Sequence, residues 1–367
     1  MPHADERNEQ AKTILCDLFN KATDEGNTID ETPYKEQLDS LFKTAVWGFR
    51  EIMLVVIVGM KMDQKFMASK ALYDCNPRAL YGGPIKEFLI EKNIPHRKDG
   101  PLNVAKATVG LDATWAKQRR PFEVAEQVVH LVEYLEKPKG GRNQRVENVG
   151  VSLLRRLIAE TSRVEALAVT IEKTSDPVYL YQLCYELTTK APDSGNTPQK
   201  IAAFLLKNYH RFMFSGVVVT GEEDRASVTS TTSKKPGDVN EESDAGRIYK
   251  VYEVTVKPFD IARIRDSYDC VVNYNNANGT EINEIVVICR PEDCPEDMET
   301  SGLNDYLGRF IYRDMIYYYW NIYEWYASTL QRMTDDGRYG FYLNLNSYIN
   351  DINTAETVKK LWLELHS

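Results

Sequence analysis

A segment that begins at a Pro-Gly bend and ends at Lys257 constrains this chain more than any other. Asp238 follows the bend, and after a polar gap the sequence continues as YKVYEVTVK over 249–257. Alternate side chains of an extended strand point to the same face. We therefore predict a strand over 249–257, with Glu253, Thr255 and Lys257 on one face and valines on the other.

The acidic residues of this segment suggest a metal-dependent site. Mg²⁺ prefers oxygen ligands and keeps several of its waters, and it can activate water and neutralise charge on phosphorus. We predict Asp238 and Glu253 as Mg²⁺ ligands, the carbonyl of Val254 as a possible third, and Lys257 as the group that stabilises charge during hydrolysis of a phosphodiester. The alternative is an ordinary half-exposed strand preceded by a common turn residue.

The surrounding pattern predicts a mixed sheet. Apolar periodicity and turn residues indicate a helix over 198–213, strands over 215–220, 225–235 and 249–257, a helix over 260–272 and a buried strand over 284–290. Hairpin-linked strands followed by a helical crossover return the last strand parallel to an earlier one. The fold class is therefore mixed α/β, a mixed sheet flanked by helices.

The rest of the chain is predicted to be helical. Helices are expected over 11–21, 34–62, 84–91, 121–135, 151–171 and 178–189, and the strongly aromatic stretch 303–366 is also predicted as helices. Turn residues over 189–197 mark a domain boundary. We therefore expect a largely helical domain over 1–195 and a catalytic domain over 196–367.

Asp238 after Pro-Gly, Glu253 and Lys257 on the next strand, and the order helix, three strands, helix, strand resemble the PD-(D/E)xK nuclease superfamily of type II restriction endonucleases. The resemblance covers roughly residues 198–290. It implies one sheet that carries an acidic residue on one strand and an acid-x-lysine triplet on the next, and a site that binds Mg²⁺ and cuts double-stranded DNA.

The sequence departs from this pattern at Thr255. Glu253 and Lys257 are separated by three residues rather than one, and Thr255 lies between them on the same face. Either Thr255 replaces the usual lysine, or it replaces the usual second acid with Glu253 displaced by one pleat. All three residues and Asp238 remain catalytic candidates.

Basic and amide residues of the first half could contact DNA. The net charge is −9, yet the stretch 92–156 carries thirteen Lys or Arg against seven Asp or Glu, and a local basic surface can still neutralise phosphates. Arg and Asn can also read bases from the major groove. The candidates are Arg97, Lys98, Asn103, Lys106, Lys117, Arg119, Arg120, Lys234 and Lys235. A solvated helical face is the alternative.

Composition limits the remaining possibilities. The most apolar run, 52–60, is far shorter than the roughly 20 residues of a membrane helix, and the cysteine spacing predicts reduced thiols. We expect a cytoplasmic type II enzyme that pairs as a two-fold homodimer on a palindromic site. The competing interpretations are a non-catalytic DNA-binding or defence-associated protein and a helical interaction scaffold.

Overall fold

The chain folds into two compact units, Met1–Ala166 and Leu167–Ser367, in a computed structural model that describes residues 4–97, 100–138, 140–223 and 235–367. The boundary lies earlier than the one expected after residue 195. The reason is that the helix Pro177–Lys190 buries Leu180, Leu183 and Leu187 in the core of the second unit. Lys98, Lys234 and most of the strand predicted over 225–235 lie outside the described residues.

The first unit is helical, as predicted. Its α-helices are α1 (Ala4–Thr23), α2 (Lys35–Ser40), α3 (Gly48–Met62), α4 (Pro77–Leu80), α5 (Lys86–Glu91), α6 (Gly100–Ala105), α7 (Ala113–Lys117), α8 (Phe122–Glu136) and α9 (Arg142–Glu165). A π-helical turn over Tyr81–Ile85 joins α4 to α5. The single helix expected over 34–62 is wrong, because the chain leaves the helix between Ser40 and Gly48. Within that break the hydroxyl of Thr44 accepts a hydrogen bond from the Val46 amide, a local bond that competes with helix formation.

The apolar run over 52–60 forms the centre of this unit. Every residue of α3 from Gly48 to Met60 is buried, and α1, α6, α8 and α9 pack against this helix. A helix that is apolar on all sides needs such complete coverage. Within the described residues, no helix combines the length and hydropathy needed to cross a membrane.

The second unit contains a mixed sheet and its flanking helices. The strands are β1 (Val217–Thr220), β2 (Val239–Ser243), β3 (Ile248–Val254), β4 (Glu284–Cys289), β5 (Glu299–Thr300), β6 (Tyr306–Tyr312) and β7 (Met315–Asn321). The helices are α10 (Pro177–Lys190), α11 (Asn196–Phe212), α12 (Ile261–Asn278), α13 (Ile322–Arg332), α14 (Asp335–Asn350) and α15 (Glu356–Leu365). This arrangement confirms the mixed α/β class.

Among the described residues, seven strands form one sheet in the order β1-β2-β3-β4-β7-β6-β5. The pairs β3–β4 and β4–β7 are parallel, with Val254 opposite Ile288 and Ile288 opposite Trp320, and the outer pairs are antiparallel. The parallel return of β4 agrees with the predicted crossover through α12. Since β3, β4 and β7 run in one direction, their carboxyl ends meet at a single edge of the sheet.

One prediction in this unit is wrong, and one strand is not predicted. The residues Tyr306–Tyr312 and Met315–Asn321 form β6 and β7 rather than helix, and in β7 the aromatic run alternates between faces: Tyr317 and Tyr319 are fully buried, whereas Tyr318 and Trp320 are only partly so. Aromatic residues favour strands, and Arg313 turns the chain from β6 into β7 with a positive φ of 56°. β2, which the sequence analysis does not predict, begins at Val239, directly after Asp238.

Both faces of the central sheet are covered. On one face, α12 packs its Ile264 and Val271 against Val251 of β3 and neighbouring residues of β4 and β7. On the other face, Val254 and Val256 join the core formed with α10, α11, α13, α14 and α15. From Val251 onward, β3 is therefore buried on both faces, which contradicts the alternative of a half-exposed strand.

Candidate functional site

Asp238 is held at the start of β2 by close backbone packing. A Cβ on Gly237 would lie 2.5 Å from Val251 Cγ1 and 2.9 Å from the Tyr252 carbonyl oxygen, so only glycine allows this approach to β3. Asp238 Oδ2 accepts a hydrogen bond from the Val254 amide at 3.0 Å. The Gln199 side chain of α11 donates to the Asp238 carbonyl at 3.3 Å. The Pro-Gly-Asp motif thus fixes a carboxylate beside the end of β3.

Glu253 meets Asp238 from β3 and faces α12. Its side chain is 8% exposed, Ser267 of α12 donates to its Oε1 at 2.9 Å, and it shares a hydrogen bond with the Asp238 side chain. Burial, and then the negative charge of Asp238, raise the pKa of Glu253 well above its usual range. Two carboxyl groups in contact away from water retain a proton, because both cannot easily be ionised.

Thr255 lies on the same side of the chain as Glu253 and accepts a hydrogen bond from the guanidinium of Arg263. Its backbone amide donates to the Ile288 carbonyl at 3.0 Å, so it continues the β3–β4 pairing beyond Val254. Arg263 Nη1 of α12 donates to Thr255 Oγ1 at 2.5 Å. The charge of Arg263 also acts to lower the pKa of Glu253. A guanidinium thus stands beside the carboxyl pair.

Lys257 lies outside this buried group. The strand ends at Val254, and a bend that follows leaves the Lys257 side chain exposed. The backbone of Lys257 bonds back to Thr255: its amide donates to Thr255 Oγ1 at 3.1 Å and its carbonyl accepts from the same hydroxyl at 3.0 Å. The strand predicted through residue 257 therefore stops three residues early, and Arg263 occupies the position nearest the carboxyl pair.

The carboxyl pair fits a hard divalent cation. Its donors are carboxylate oxygens from the start of β2 and the end of β3, and burial together with the charge of Asp238 raises the pKa of Glu253. Mg²⁺ is commonly held by one or two carboxylates while it keeps several waters. Among the described residues, no three His, Cys, Asp or Glu side chains form a group that could hold a metal ion. Asp238 and Glu253 would thus act together with water and backbone oxygens.

The predicted DNA-contacting residues of the first unit differ in their exposure: some are exposed, and others are bonded within the unit. Asn103, Lys106, Lys117 and Arg120 are exposed. By contrast, Arg97 stacks on the Trp47 ring at 4.0 Å and its amide donates to Glu51. The Trp115 indole donates to the Val104 carbonyl at 2.8 Å, which joins α7 to α6, and Arg119 donates to Thr108 at 3.2 Å. The bond between Trp115 and Val104 ties α6 to α7, which carries Lys117, and Lys106 lies directly after α6. In the second unit, Lys235 is partly buried.

Two other features of the second unit do not involve the carboxyl pair. A cavity of about 470 Å³ is lined by residues that include Lys200, Lys207 and Glu222, but neither Asp238 nor Glu253 belongs to its lining. His210 lies 2.8 Å from Ser215 Oγ and 2.9 Å from Glu241 Oε1. Since Ser215 Oγ also accepts from the Val217 amide, this chain of bonds closes the turn between α11 and β1.

The sequence analysis includes neither Ser267 nor Arg263 among the site residues. A usable signal was present, because Asp260 caps α12 by accepting from the Ala262 and Arg263 amides. A cap at that position places Arg263 in the first helical turn, directly after the short connection from β3. Arg265, two residues further on, is exposed.

No protein-family model matches the sequence, and no curated protein matches it either.

The first prediction concerns pH and stability without divalent cations. Because the folded pKa of Glu253 is raised above its ordinary value of 4.5, the native state retains a proton that the unfolded state loses as pH rises. The free energy of unfolding should fall by about 1.4 kcal/mol per pH unit between those two pKa values. Glu253→Gln should flatten this fall in urea titrations with EDTA.

The matched control is Glu284→Gln, at the exposed start of β4. It should keep the pH dependence of the unsubstituted protein. A Glu253→Gln protein with the same pH dependence as this control would show that Glu253 does not hold the proton.

Proposed function

We propose that this chain is a Mg²⁺-dependent endonuclease that hydrolyses phosphodiester bonds of double-stranded DNA, of the PD-(D/E)xK type. The observation that carries the proposal is the contact between the carboxyl groups of Asp238 and Glu253 at the shared edge of β2 and β3. The element order α11, β1, β2, β3, α12, β4 supports it, since this is the order that the superfamily resemblance implies.

The residues around the pair supply the remaining parts of such a reaction. A cation held by Asp238 and Glu253 would neutralise phosphate charge and lower the pKa of an attacking water. Arg263 carries a fixed positive charge beside the pair and can donate to a phosphate oxygen. Lys257, exposed beyond the end of β3, can reach a DNA backbone. In hydrolysis, the water oxygen bonds to phosphorus, the P–O bond to one deoxyribose breaks, and that oxygen gains a proton.

In the acid-x-lysine pattern the lysine stabilises charge on the phosphate. Here Thr255 stands at the position of that lysine, and Arg263 supplies the positive charge. Thr255 orients Arg263 through their hydrogen bond. Under this proposal Glu253 is the second acid, and Thr255 stands at the position of the usual lysine.

The exposed basic residues of the first unit would hold the DNA backbone. Lys106, Lys117 and Arg120 are placed for phosphate contact, and Asn103 for contact with a base edge. We further propose that the enzyme is a cytoplasmic, sequence-specific type II enzyme and a two-fold homodimer, because isologous pairing matches a palindromic site. A non-catalytic DNA-binding protein is the competing function.

The second prediction tests the carboxyl pair. Plasmid and phage DNA incubated with the protein and Mg²⁺ should give discrete fragments that EDTA abolishes. Asp238→Asn should slow cutting at least about 100-fold, the scale on which loss of a charge-stabilising group slows an enzyme. DNA binding, measured by gel shift with Ca²⁺, should persist.

Asp244→Asn is the matched control, because Asp244 is exposed in the loop after β2. It should cut at the original rate. Equal cutting by the Asp238→Asn protein would refute the role of Asp238, and DNA binding without cutting by the unsubstituted protein would favour the non-catalytic alternative.

The third prediction separates Arg263 from Arg265. Arg263→Ala should slow cutting at least about 10-fold and move the rise of activity with pH to higher pH, because the Arg263 charge acts to lower the pKa of Glu253. Arg265→Ala, on the same helix, should leave both the rate and the pH profile unchanged. Similar pH profiles for the two variants would contradict the role of Arg263.

The fourth prediction concerns the basic surface. Replacing Lys106, Lys117 and Arg120 with Ala should weaken DNA binding and reduce the slope of log affinity against log salt by about one for each phosphate that the variant no longer neutralises. Replacing the exposed Lys35, Lys43 and Lys65 of the same unit should leave that slope unchanged. An equal change in both triple variants would mean that net charge, rather than this surface, governs binding.

A further inference from the structure

Two cysteines meet at the edge of the sheet that carries the carboxyl pair. Cys289 ends β4 and is fully buried, Cys294 is partly exposed, and their sulfur atoms lie 3.7 Å apart. The sequence Cys-Arg-Pro-Glu-Asp-Cys between them contains a short 3₁₀ turn over Pro291–Asp293. The spacing is not a CxxC motif, so sequence reasoning treated both as unrelated thiols.

The turn between the cysteines is firmly held. Arg290 donates to both carboxylate oxygens of Asp293, at 2.7 and 3.0 Å, and Asp293 is 2% exposed. This bidentate bond fixes the turn that brings Cys294 back to Cys289. The two sulfur atoms need to approach by about 1.7 Å to reach the S–S bond length of about 2.05 Å, a movement that side-chain rotation and a small shift of the turn supply together.

The two thiols also differ in reactivity. The hydrogen bond from Cys289 lowers the pKa of Cys294, although burial and the charges of Asp293 and Glu292 oppose this. The same hydrogen bond, together with burial, raises the pKa of Cys289. Cys294 is therefore the nucleophile that an oxidant in solution can reach, and Cys289 is the neighbour that can resolve the product.

We propose that Cys289 and Cys294 form a reversible disulfide, a modification site whose oxidant is a hydroperoxide. The Cys294 thiolate attacks one peroxide oxygen, so that an S–O bond forms, the O–O bond breaks and the leaving oxygen departs as water after protonation. The Cys289 sulfur then attacks the sulfenic acid, so that the S–S bond forms and the hydroxyl leaves as water. Two thiols and one hydrogen peroxide thus give one disulfide and two waters, and a dithiol reverses the reaction.

The disulfide would act on the neighbouring site through the same turn. Arg290 donates to the Val256 carbonyl at 2.9 Å, and the Phe259 amide donates to the Asp293 carbonyl at 2.8 Å. These bonds hold the segment after β3, which carries Lys257 and precedes α12. Closing the disulfide shifts the turn and loosens this hold, so oxidation should lower activity; this effect rests on the proposed nuclease function, whereas disulfide formation does not.

The fifth prediction is tested on the full chain treated with hydrogen peroxide and then alkylated. A protease that cuts after glutamate separates the two cysteines at Glu292, so the disulfide appears as two linked peptides that dithiothreitol releases. Cys294→Ser should abolish the linked pair. Cys289→Ser should leave a sulfenic acid on Cys294 that dimedone traps, and Cys16→Ser, at an exposed cysteine of the first unit, should leave the linked pair intact.

Cys294 should react with peroxide at least about ten times faster than the partly buried Cys270. Equal reaction rates of Cys294 and Cys270 with peroxide would overturn the proposal. It would also be overturned if Cys289 could still be alkylated when the peroxide-treated protein is unfolded. DNA cleavage should fall when the protein is oxidised and return when dithiothreitol is added. If oxidation leaves cleavage by the Cys294→Ser protein unchanged, this would support the link between the disulfide and the proposed active site. If the linked peptides form but the protein cuts no DNA, the proposed disulfide is supported and the proposed nuclease function is refuted.

Discussion

The sheet of the second unit is covered on both faces where β3, β4 and β7 run parallel, and this coverage determines the chemistry at its edge. A strand buried on both faces has few positions for polar groups. Glu253 and Thr255 are nevertheless buried there, facing Ser267 and Arg263 of α12. Burial of a carboxyl group is costly unless it is protonated or partnered. The raised pKa of Glu253 is the direct consequence.

The opposing carboxyl of Asp238 adds to this cost rather than relieving it. Structural needs alone would be met by an uncharged residue at either position, since the Val254 amide and the Ser267 hydroxyl could bond to an amide oxygen equally well. Buried carboxyl groups whose pKa is strongly raised by burial and by a charged neighbour are found more often at functional sites, which makes this pair the candidate site. Gly237 and the capped start of α12 add backbone constraints that hold the pair and Arg263 in place.

A feature of the fold could be predicted from the sequence where it depends on a local residue pattern, and could not where it depends on contacts between distant residues. Helices with a clear apolar stripe, such as α8 and α11, are predicted to within a few residues, because periodicity is local. The aromatic run of β7 was misassigned, because consecutive tyrosines carry no periodicity and only pairing with β4 and β6 selects the strand. The domain boundary was misplaced because α10 looks like any other helix until its leucines are seen in the second core.

The sequence alone determined the mixed α/β class, the crossover through α12 and the meeting of Asp238 with Glu253, since each depends on residue order and side-chain chemistry. The tertiary structure decided which cation stands beside those acids and which cysteines meet. Arg263 is eight residues from Thr255, and Cys294 reaches Cys289 only through the turn that Arg290 and Asp293 hold. Contacts of this kind depend on where a turn or helix directs the chain after a strand ends, and packing across the sheet, rather than local pattern, sets that direction.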